Sequence, residues 1–276
     1  MGTNTNRVDS SGVSIAYAVH GPDDGRPVLL LHGFPDTGRL WRHQVGALVD
    51  AGHRVIVPDQ RGFGASDKPA DVDAYNLLVL AGDALAVLDD AGVERAAVVG
   101  HDWGAPVAWA LGAMAAPRVE RLVAMSVGHP TSFRGAGFAQ KEKSWYLLLF
   151  QFPGVAERWL SDDGWSRFRE WSSHPDADAV IADIEANGSL TPGLNWYRAN
   201  GAPESMLEDP PQLPPIEAPV MAMWSTGDMA LTEEQMTGSE AYCAGGFRYE
   251  RIEGAGHWIQ LEQPEVVNGL LVDFLR

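Results

Sequence analysis

The part of the sequence best suited to chemistry is a five-residue segment, Gly100-His101-Asp102-Trp103-Gly104. The apolar run 96–99 predicts a buried strand before it, and the apolar stretch 105–114 predicts a helix after it. Glycines on both sides of a central residue permit a tight strand-to-helix turn, which pushes the central side chain out above the sheet. The pattern therefore predicts that the Asp102 carboxylate is presented as a nucleophile.

An aspartate at this position favours attack on a saturated carbon. A serine would leave an ether on such a carbon, which water does not readily cleave, whereas a carboxylate leaves an ester that can be hydrolysed to recover the enzyme. No G-x-S-x-G segment occurs in the chain, so ordinary esterase or lipase chemistry lacks its nucleophile. The alternative is that Asp102 caps the following helix, a common role for aspartate.

An acid and a histidine follow the nucleophile at the ends of later predicted strands. Asp228 closes the loop after the strand 220–224, and His257 lies in the loop after the strand 247–252. His257 is the expected general base, because a neutral imidazole with a pKa near ~6.5 can take a proton from water. Asp228 is expected to fix the tautomer of His257 and to stabilise the imidazolium.

The turn after the first predicted buried strand, 28–31, is expected to stabilise developing negative charge. Its sequence is His32-Gly33-Phe34-Pro35. Since Pro35 has no N–H, Phe34 is the expected backbone donor of this turn, and the Trp103 N–H is the expected second donor. One such donor is typically worth ~3 to 4 kcal/mol in a transition state. Taken alone, the segment is equally compatible with a simple turn.

Several residues near these loops receive a different assignment. The side chains expected to line the substrate pocket are Phe34, Pro35, Trp103 and Trp258. Asp36 is assigned no chemical role, and His101 has no context comparable to that of His257. Glu233 and Glu234 are alternative acids, but they are expected to begin a helix and to interact with its N-terminus.

The predicted elements alternate between strand and helix. Besides the strands named above, buried strands are predicted at 54–58 and 122–127, and helices at 75–91 and 264–275. Such alternation is typical of a parallel sheet covered by helices. The predicted fold class is therefore α/β, with a mostly parallel central sheet and helices on both faces.

The alternation stops between 127 and 220. The segment 129–215 has helical patches, several prolines and five of the ten tryptophans. It is predicted to be a helical cap inserted into a core domain formed by 1–128 and 216–276. Its aromatic composition favours an apolar substrate, although the same tryptophans could pack within the cap's own core.

The composition argues against several classes of partner. The chain has 20 lysines and arginines against 37 aspartates and glutamates, and its formal charge of −17 repels nucleic acid and anionic membranes. No metal-ligand cluster is evident, and Gly62-Phe63-Gly64 lacks the third glycine of a dinucleotide loop. We therefore expect no cofactor and no metal. The single cysteine, Cys243, and the polar N-terminus favour a cytoplasmic protein. The oligomeric state stays open between a monomer and a homodimer.

These residues resemble the epoxide hydrolases of the α/β-hydrolase superfamily over nearly the whole chain. The matching segments are 32–35, 41–42, 59–64, 100–104, the cap, Asp228 and His257. The resemblance implies the α/β-hydrolase fold, a small apolar epoxide and water as substrates, a vicinal diol as product, and a role in detoxification. It also implies that two cap tyrosines, at positions matching Tyr146 and Tyr197, protonate the epoxide oxygen. Without it, tyrosines in an aromatic cap would be assigned to packing.

Three other functions are compatible with parts of the pattern. Haloalkane dehalogenases share the fold and the aspartate, but they typically need a second halide-binding side chain, often an Asn where this chain has Phe34. Fluoroacetate dehalogenases place an Arg after the nucleophile, where this chain has Trp103. A non-catalytic binding protein on the same scaffold has little reason to keep nucleophile, acid, base and oxyanion turn together.

Overall fold

Eight strands form one sheet in the structure, a computed structural model that describes residues 5–204 and 213–276. Their order across the sheet is β1-β2-β4-β3-β5-β6-β7-β8. The pairs β1/β2 and β2/β4 are antiparallel, and the other neighbours are parallel. The strands are β1 (Thr5–Ser10), β2 (Val13–His20), β3 (Arg26–Leu31), β4 (His53–Pro58), β5 (Ala96–His101), β6 (Val119–Met125), β7 (Val220–Ser225) and β8 (Phe247–Ile252).

Helices cover both faces of the sheet. On one face lie α2 (Leu77–Asp90) and α3 (Gly104–Met114), and on the other lie α1 (Arg42–Asp50) and α12 (Pro264–Phe274). The side chains of β3 show how the two cores are divided, because successive residues of a strand point to opposite faces. Leu29 and Leu31 join the core under α2 and α3, whereas Val28 and Leu30 join the core under α1 and α12. The predicted fold class is thereby confirmed.

Between β6 and β7 the chain forms a helical segment, which we call the helical insertion and define as residues 130–200. Its helices are α4 (Pro130–Gly135), α5 (Gly137–Lys143), α6 (Tyr146–Phe150), α7 (Val155–Ser172), α8 (Ala177–Asn187) and α9 (Leu190–Asn200). The helix α7 is interrupted by non-helical backbone at 162–165. Residues 205–212, which belong to the predicted cap, and residues 1–4 lie outside the described part of the chain. After the insertion come β7, α10 (Glu233–Thr237), β8 and α11 (Ile259–Glu262).

The predicted elements differ from the observed ones mainly at the N-terminal edge and at two element boundaries. The prediction did not include the antiparallel strands β1 and β2 or the helix α1. The segment of β1 has a single apolar residue, whereas β2 contains the apolar run 15–19 and was overlooked, as was α1. The strand predicted at 122–127 spans Val119–Met125 instead. The helix predicted from 75 begins at Leu77, since Asn76 is extended and its side chain caps the helix by accepting from the Leu78 N–H.

A helix that crosses a membrane must be long and continuously apolar. Across 5–204 and 213–276, no helix combines the length and the apolar character that a membrane crossing requires.

Candidate active site

Asp102 lies in a turn that only small neighbours permit. It follows β5 directly, precedes α3, and has a φ of 51°, which is uncommon for a residue with a side chain. A Cβ atom on Gly100 would come within 2.1 Å of the Gly104 carbonyl oxygen, and a Cβ atom on Gly104 would come within 2.1 Å of the Leu31 carbonyl oxygen. The two glycines therefore allow β5 to turn sharply into α3 and to present Asp102 at the end of the sheet.

The two carboxylate oxygens of Asp102 have different surroundings. Oδ1 accepts a hydrogen bond of 2.8 Å from the backbone N–H of Phe34. Oδ2 lies 3.4 Å from Nε2 of His257. The side chain is largely buried, yet Asp102 also lines a cavity of about 270 Å³. One oxygen is thus held by the turn after β3, while the other lies beside the imidazole.

His257 and Asp228 meet through a hydrogen bond that fixes the imidazole tautomer. Nδ1 of His257 lies 2.9 Å from Oδ2 of Asp228, and because a carboxylate only accepts, Nδ1 donates. The other oxygen of Asp228 accepts from the backbone N–H groups of Ala230 and Leu231, at 2.8 and 3.0 Å. Burial disfavours the ionised carboxyl, but His257 and these backbone donors outweigh it and lower the pKa of Asp228. Asp228 is therefore an ionised, immobilised acceptor for His257.

The charge state of His257 differs from the one expected from sequence. Burial disfavours the imidazolium, but the carboxylates of Asp228 and Asp102 outweigh it and raise the pKa of His257 from 6.5 to about 10. At neutral pH the resting site thus holds a protonated imidazole between two carboxylates. The sequence alone predicted an ordinary pKa, since it does not reveal that both carboxylates contact one ring.

His101 supports the loop that carries His257. Its Nε2 atom donates to the backbone oxygen of His257 over 2.9 Å, and the Ser126 hydroxyl donates to the same oxygen over 3.1 Å. Burial lowers the pKa of His101 to about 4, with the charge of His257 acting in the same direction. His101 is consequently neutral and links the nucleophile turn to the histidine loop. No role for His101 was predicted from the sequence, where its position next to Asp102 is the only signal of one.

Tyr146 and Tyr197 come from different helices of the insertion and meet near Asp102. Tyr146 begins α6, Tyr197 lies in α9, and their ring centroids are 6.2 Å apart. Both side chains line the same cavity as Asp102. Burial, reinforced by the charge of Asp102, raises the pKa of each phenol well above 10.0. Both tyrosines therefore keep their protons at neutral pH and are available as donors.

The cavity between the sheet and the insertion is mainly apolar. Its volume is about 270 Å³, and beyond Asp102 and the two tyrosines its wall is formed largely by apolar side chains, among them Trp103, Pro106, Phe133, Leu147 and Leu231. Few polar groups in an apolar cleft are typical of a small-molecule site, because they orient a ligand that the apolar wall binds. The cavity thus fits a small apolar molecule with a polar group placed at Asp102.

Three of the four residues predicted to line the pocket are absent from the wall of this cavity. Trp103 lines it, but Phe34, Pro35 and Trp258 do not. The ring of Phe34 packs edge-on against Tyr197 and Phe150, with centroids 5.6 and 6.0 Å apart. Pro35 borders a separate small cavity. The Trp258 indole N–H donates to Oδ2 of Asp36 over 2.9 Å.

The structure places Asp36, which the sequence analysis left without a role, in a buried network. Its Oδ2 atom accepts from Trp258, and its Oδ1 atom lies 3.2 Å from Nε2 of His174, a residue of the insertion. Burial disfavours the ionised carboxyl, but His174 and the indole donor outweigh it and lower the pKa of Asp36. No local sequence signal points to this network, since its members are separated by more than a hundred residues.

The remaining acids and potential ligands lie outside this arrangement. Glu233 begins α10 and accepts a hydrogen bond from the Tyr249 hydroxyl, so it is engaged away from His257. In the ranges 5–204 and 213–276, no group of three or more His, Cys, Asp or Glu side chains could hold a metal ion.

The sheet order and the turn that carries Asp102 define a class of enzyme. The family model described as the alpha/beta hydrolase fold matches residues 26–264. The chain belongs to this family.

Known relatives narrow the assignment within the family. Epoxide hydrolase A of Mycobacterium tuberculosis is 33% identical over 320 residues, which cover 100% of this chain and 98% of that protein. YfhM, an AB hydrolase superfamily protein of Bacillus subtilis, is 32% identical over 281 residues, which cover 98% of this chain and 96% of YfhM. Within the α/β hydrolases, the chain belongs with the epoxide hydrolases.

Solved structures resemble the chain over a similar extent. The crystal structure of Epoxide Hydrolase A from Mycobacterium thermoresistibile has a TM-score of 0.85 at 32% identity, covering 100% of this chain and 98% of that one. The epoxide hydrolase of Bacillus megaterium in complex with an inhibitor has a TM-score of 0.88 at 28% identity, and the match covers 98% of this chain and 99% of that one. The likeness therefore includes the insertion as well as the sheet.

Proposed function

We propose that this protein hydrolyses a small apolar epoxide to a vicinal diol through an ester formed on Asp102. The observation that carries the proposal is that the two carboxylate oxygens of Asp102 have different contacts. Oδ1 is held by the Phe34 N–H, whereas Oδ2 lies beside His257 at the wall of a cavity that also presents Tyr146 and Tyr197. The names of the relatives, which are epoxide hydrolases, support the same reaction.

In the first step Oδ2 of Asp102 attacks the less hindered carbon of the epoxide. The C–O bond to that carbon breaks, and the epoxide oxygen leaves as an alkoxide unless it is protonated. Alkoxides are poor leaving groups, so a proton must be supplied as the bond breaks. Tyr146 and Tyr197 hold protons at neutral pH and line the same cavity as Asp102, and we assign them this role.

Formation of the ester changes the charge on His257. Asp102 loses its negative charge, and with it one of the two carboxylates that raise the pKa of His257 to about 10. The imidazolium can now return a proton to the tyrosinate that protonated the substrate. This step leaves a neutral imidazole at the moment when a base is needed.

In the second step the neutral His257 takes a proton from water, and the oxygen of that water attacks the ester carbonyl carbon. The Phe34 N–H, already bonded to Oδ1, is placed to stabilise the oxyanion that forms there. We assign the Trp103 N–H as the second donor, by its position in the turn. On collapse the bond between the carbonyl carbon and Oδ2 breaks, and the proton left on the oxygen from water passes to the departing Oδ2. The diol is released with Oδ2 attached, the Asp102 carboxylate is regenerated with an oxygen from water, and His257 stays protonated, so the cycle closes on the resting state.

We assign the domain roles in the same way. Residues 1–128 and 216–276 are the hydrolase core, and residues 129–215 are a cap that carries the two tyrosines over the nucleophile. The support for this division is the position of the helical insertion between β6 and β7 and the cavity that lies between it and the sheet. The part of this cap at 205–212 lies outside the described residues.

Isotope labelling tests the route of the oxygen atoms. In a single turnover in ¹⁸O-labelled water, the first diol should carry only unlabelled oxygen, because its new oxygen comes from Asp102 rather than from water. Label in the first diol would mean that water attacks the epoxide directly and would overturn the ester mechanism.

Intact mass spectrometry tests the same route and separates the main alternative. His257→Gln should accumulate the ester, which adds the mass of one epoxide to the protein, since the base of the second step is missing. A haloalkane dehalogenase would instead give no adduct with epoxides and an adduct with bromoalkanes, with release of bromide. A panel of small epoxides with a bromoalkane as control distinguishes the two enzymes.

A further inference from the structure

A buried carboxylate joins three parts of the molecule that the proposed reaction needs. Asp36 follows the turn that presents the Phe34 N–H, and its own N–H donates to the Gly33 oxygen over 3.0 Å, which closes that turn. Its Oδ2 atom accepts from Trp258, the residue after His257. Its Oδ1 atom faces His174, which lies in the loop between α7 and α8 of the insertion. Asp36 thus contacts the oxyanion turn, the histidine loop and the insertion.

The hydrogen bonds of His174 define which of its nitrogens carries the proton. Nδ1 lies 2.9 Å from the backbone nitrogen of Asp176, and because a backbone N–H can only donate, Nδ1 accepts. Nε2 must therefore be the donor toward Oδ1 of Asp36, at 3.2 Å. The side chains of His174 and Asp36 are only 0% and 6% exposed, so water cannot readily replace this bond. The imidazole also lies against the Trp258 indole, with ring centroids 4.2 Å apart.

We propose that His174 is a positioning residue for the hydrolysis of the Asp102 ester. It acts by holding Asp36, and through Asp36 the indole of Trp258, in the arrangement that sets the loop of His257. The inference rests on the proposed function, since it concerns the second step of that reaction. It assigns to the insertion a contribution to the water-activating side of the site, in addition to its two tyrosines.

Other contacts between the insertion and the same stretch of the core do not reach the catalytic loops. The Arg42–Asp176 pair joins the two regions at 2.5 Å with side chains 33% and 27% exposed, and the Arg39–Asp183 pair spans 4.0 Å with side chains 51% and 42% exposed. Exposed pairs of this kind are screened by water and contribute little. The Asp36 contact differs because it is buried and because the same carboxylate binds the neighbour of His257.

The second step should depend on His174 more than the first. The rings of His257 and Trp258 are in contact, with centroids 4.8 Å apart, so a shifted indole changes the position of the base. Esterification requires the Asp102 oxygen and the tyrosines, none of which is bonded to Asp36 or His174 in the described structure. Loss of the His174 donor should therefore slow release of the ester while leaving its formation nearly unchanged.

Two substitutions separate the bond to Asp36 from the local bond to Asp176. In His174→Asn the shorter amide can still accept from the Asp176 N–H but has no donor that reaches Asp36. In His174→Gln the longer amide can place its NH₂ group where Nε2 lies and donate to Asp36. Arg39→Ala, which removes an exposed pair between the same two regions, is the matched control.

The measurement is the rate of ester formation and of ester release, followed by quenching single turnovers and weighing the intact protein. We expect His174→Asn to release the ester about tenfold more slowly, a loss typical of a misplaced catalytic group, with formation changed by less than about twofold. His174→Gln should recover most of the rate, and Arg39→Ala should match the wild type. A purely structural role would not change the ratio of the two rates.

The outcomes distinguish this inference from the reaction on which it rests. If the wild type forms no ester on Asp102, the proposed function fails. If the wild type forms the ester and His174→Asn releases it at the normal rate, or slows both steps equally, the positioning role is wrong. If His174→Asn does not fold, the release rate of His174→Gln is the test. A rate within about threefold of the wild-type rate agrees with the positioning role, and a larger loss contradicts it.

Discussion

The two sides of the cavity are held in place by different forces. On the sheet side, Asp102, His257 and Asp228 are positioned by directional hydrogen bonds to each other and to backbone groups. On the insertion side, Tyr146 and Tyr197 are positioned mainly by edge-to-face ring packing, with Phe150 against both at centroid distances of 5.4 and 5.0 Å, and Tyr197 also accepts a hydrogen bond from the Trp103 side chain. The placement of Asp102 and His257 thus depends on hydrogen-bond geometry, whereas the placement of the two tyrosines depends mainly on packing.

This difference predicts how each side responds to change. A directional hydrogen bond in a buried site is lost completely when one partner is removed, and the other partner is then left unpaired. A ring contact is worth about 0.5 to 1.5 kcal/mol, and neighbouring rings can adjust to a change. Substitutions on the sheet side should therefore act on one step at a time, whereas packing changes in the insertion should cause smaller, graded effects.

The largest effect should come from removing both proton donors. The double substitution Tyr146→Phe with Tyr197→Phe keeps the ring packing but removes both hydroxyls, and we expect ester formation to slow by about 10⁴-fold, the upper range for general acid catalysis. The measurement is the rate of ester formation in single turnovers, with the two single substitutions as controls. A double variant that forms the ester within tenfold of the wild-type rate would contradict the assignment.

The next largest effect should come from Asp228→Asn. The amide cannot hold His257 in the same tautomer or stabilise its imidazolium, so ester hydrolysis should slow by about 10³-fold. Formation of the ester, which uses Asp102 and the tyrosines, should fall far less. Intact mass should then show the ester accumulating during turnover, and its absence would show that the acid acts elsewhere.

The charge of Asp102 should control the pKa of His257. In the wild type both carboxylates raise that pKa to about 10. Asp102→Asn imitates the neutral ester, so the pKa of His257 should fall toward the ordinary value. At pH values between the pKa of the variant and that of the wild type, the ring is neutral in the variant and protonated in the wild type. An NMR titration of the His257 imidazole measures this. If the variant still titrates near the wild-type value, Asp102 is not a source of the raised pKa.

The smallest effect should come from Phe150→Leu. Phe150 is fully buried, and its loss should lower stability by about 1 to 2 kcal/mol and slow ester formation by about threefold, since both tyrosines lose a packing partner. Phe168→Leu is the matched control, because Phe168 is equally buried in the insertion but packs on Trp165 and Trp171 instead. Equal loss of activity in both variants would mean that general destabilisation, not the placement of the tyrosines, is responsible.

Local sequence patterns were sufficient to predict the sheet side of the site. The strand before Asp102, the two glycines and the helix after it lie within twenty residues, and the structure has each of them. Asp228 and His257 were predicted from their places after later strands, and the structure places His257 beside Asp102 and Asp228 beside His257. Such patterns work because backbone sterics and the alternation of buried strands act over short stretches of chain.

The insertion side was less accessible to the same reasoning. The segment was expected to be helical, but nothing within it distinguishes Tyr146 and Tyr197 from tyrosines that only pack, and they were identified by resemblance. Asp36 and His174 were missed altogether, because a buried contact between residues this far apart has no local pattern. The edge strand β1 was missed because its partly exposed segment has no apolar run, whereas β2 was overlooked although it contains the apolar run 15–19.

The sequence by itself determined the type of fold and the places of Asp102, Asp228 and His257 at the ends of strands, because backbone sterics and apolar periodicity depend on residues that are neighbours in the chain. Tertiary structure decided how these groups behave. It raised the pKa of His257 by placing two carboxylates on one buried ring, brought two tyrosines from separate helices to one cavity, and bonded His174 to Asp36. Electrostatic and hydrogen-bond interactions depend on distance in space, which residues far apart in the chain acquire only on folding.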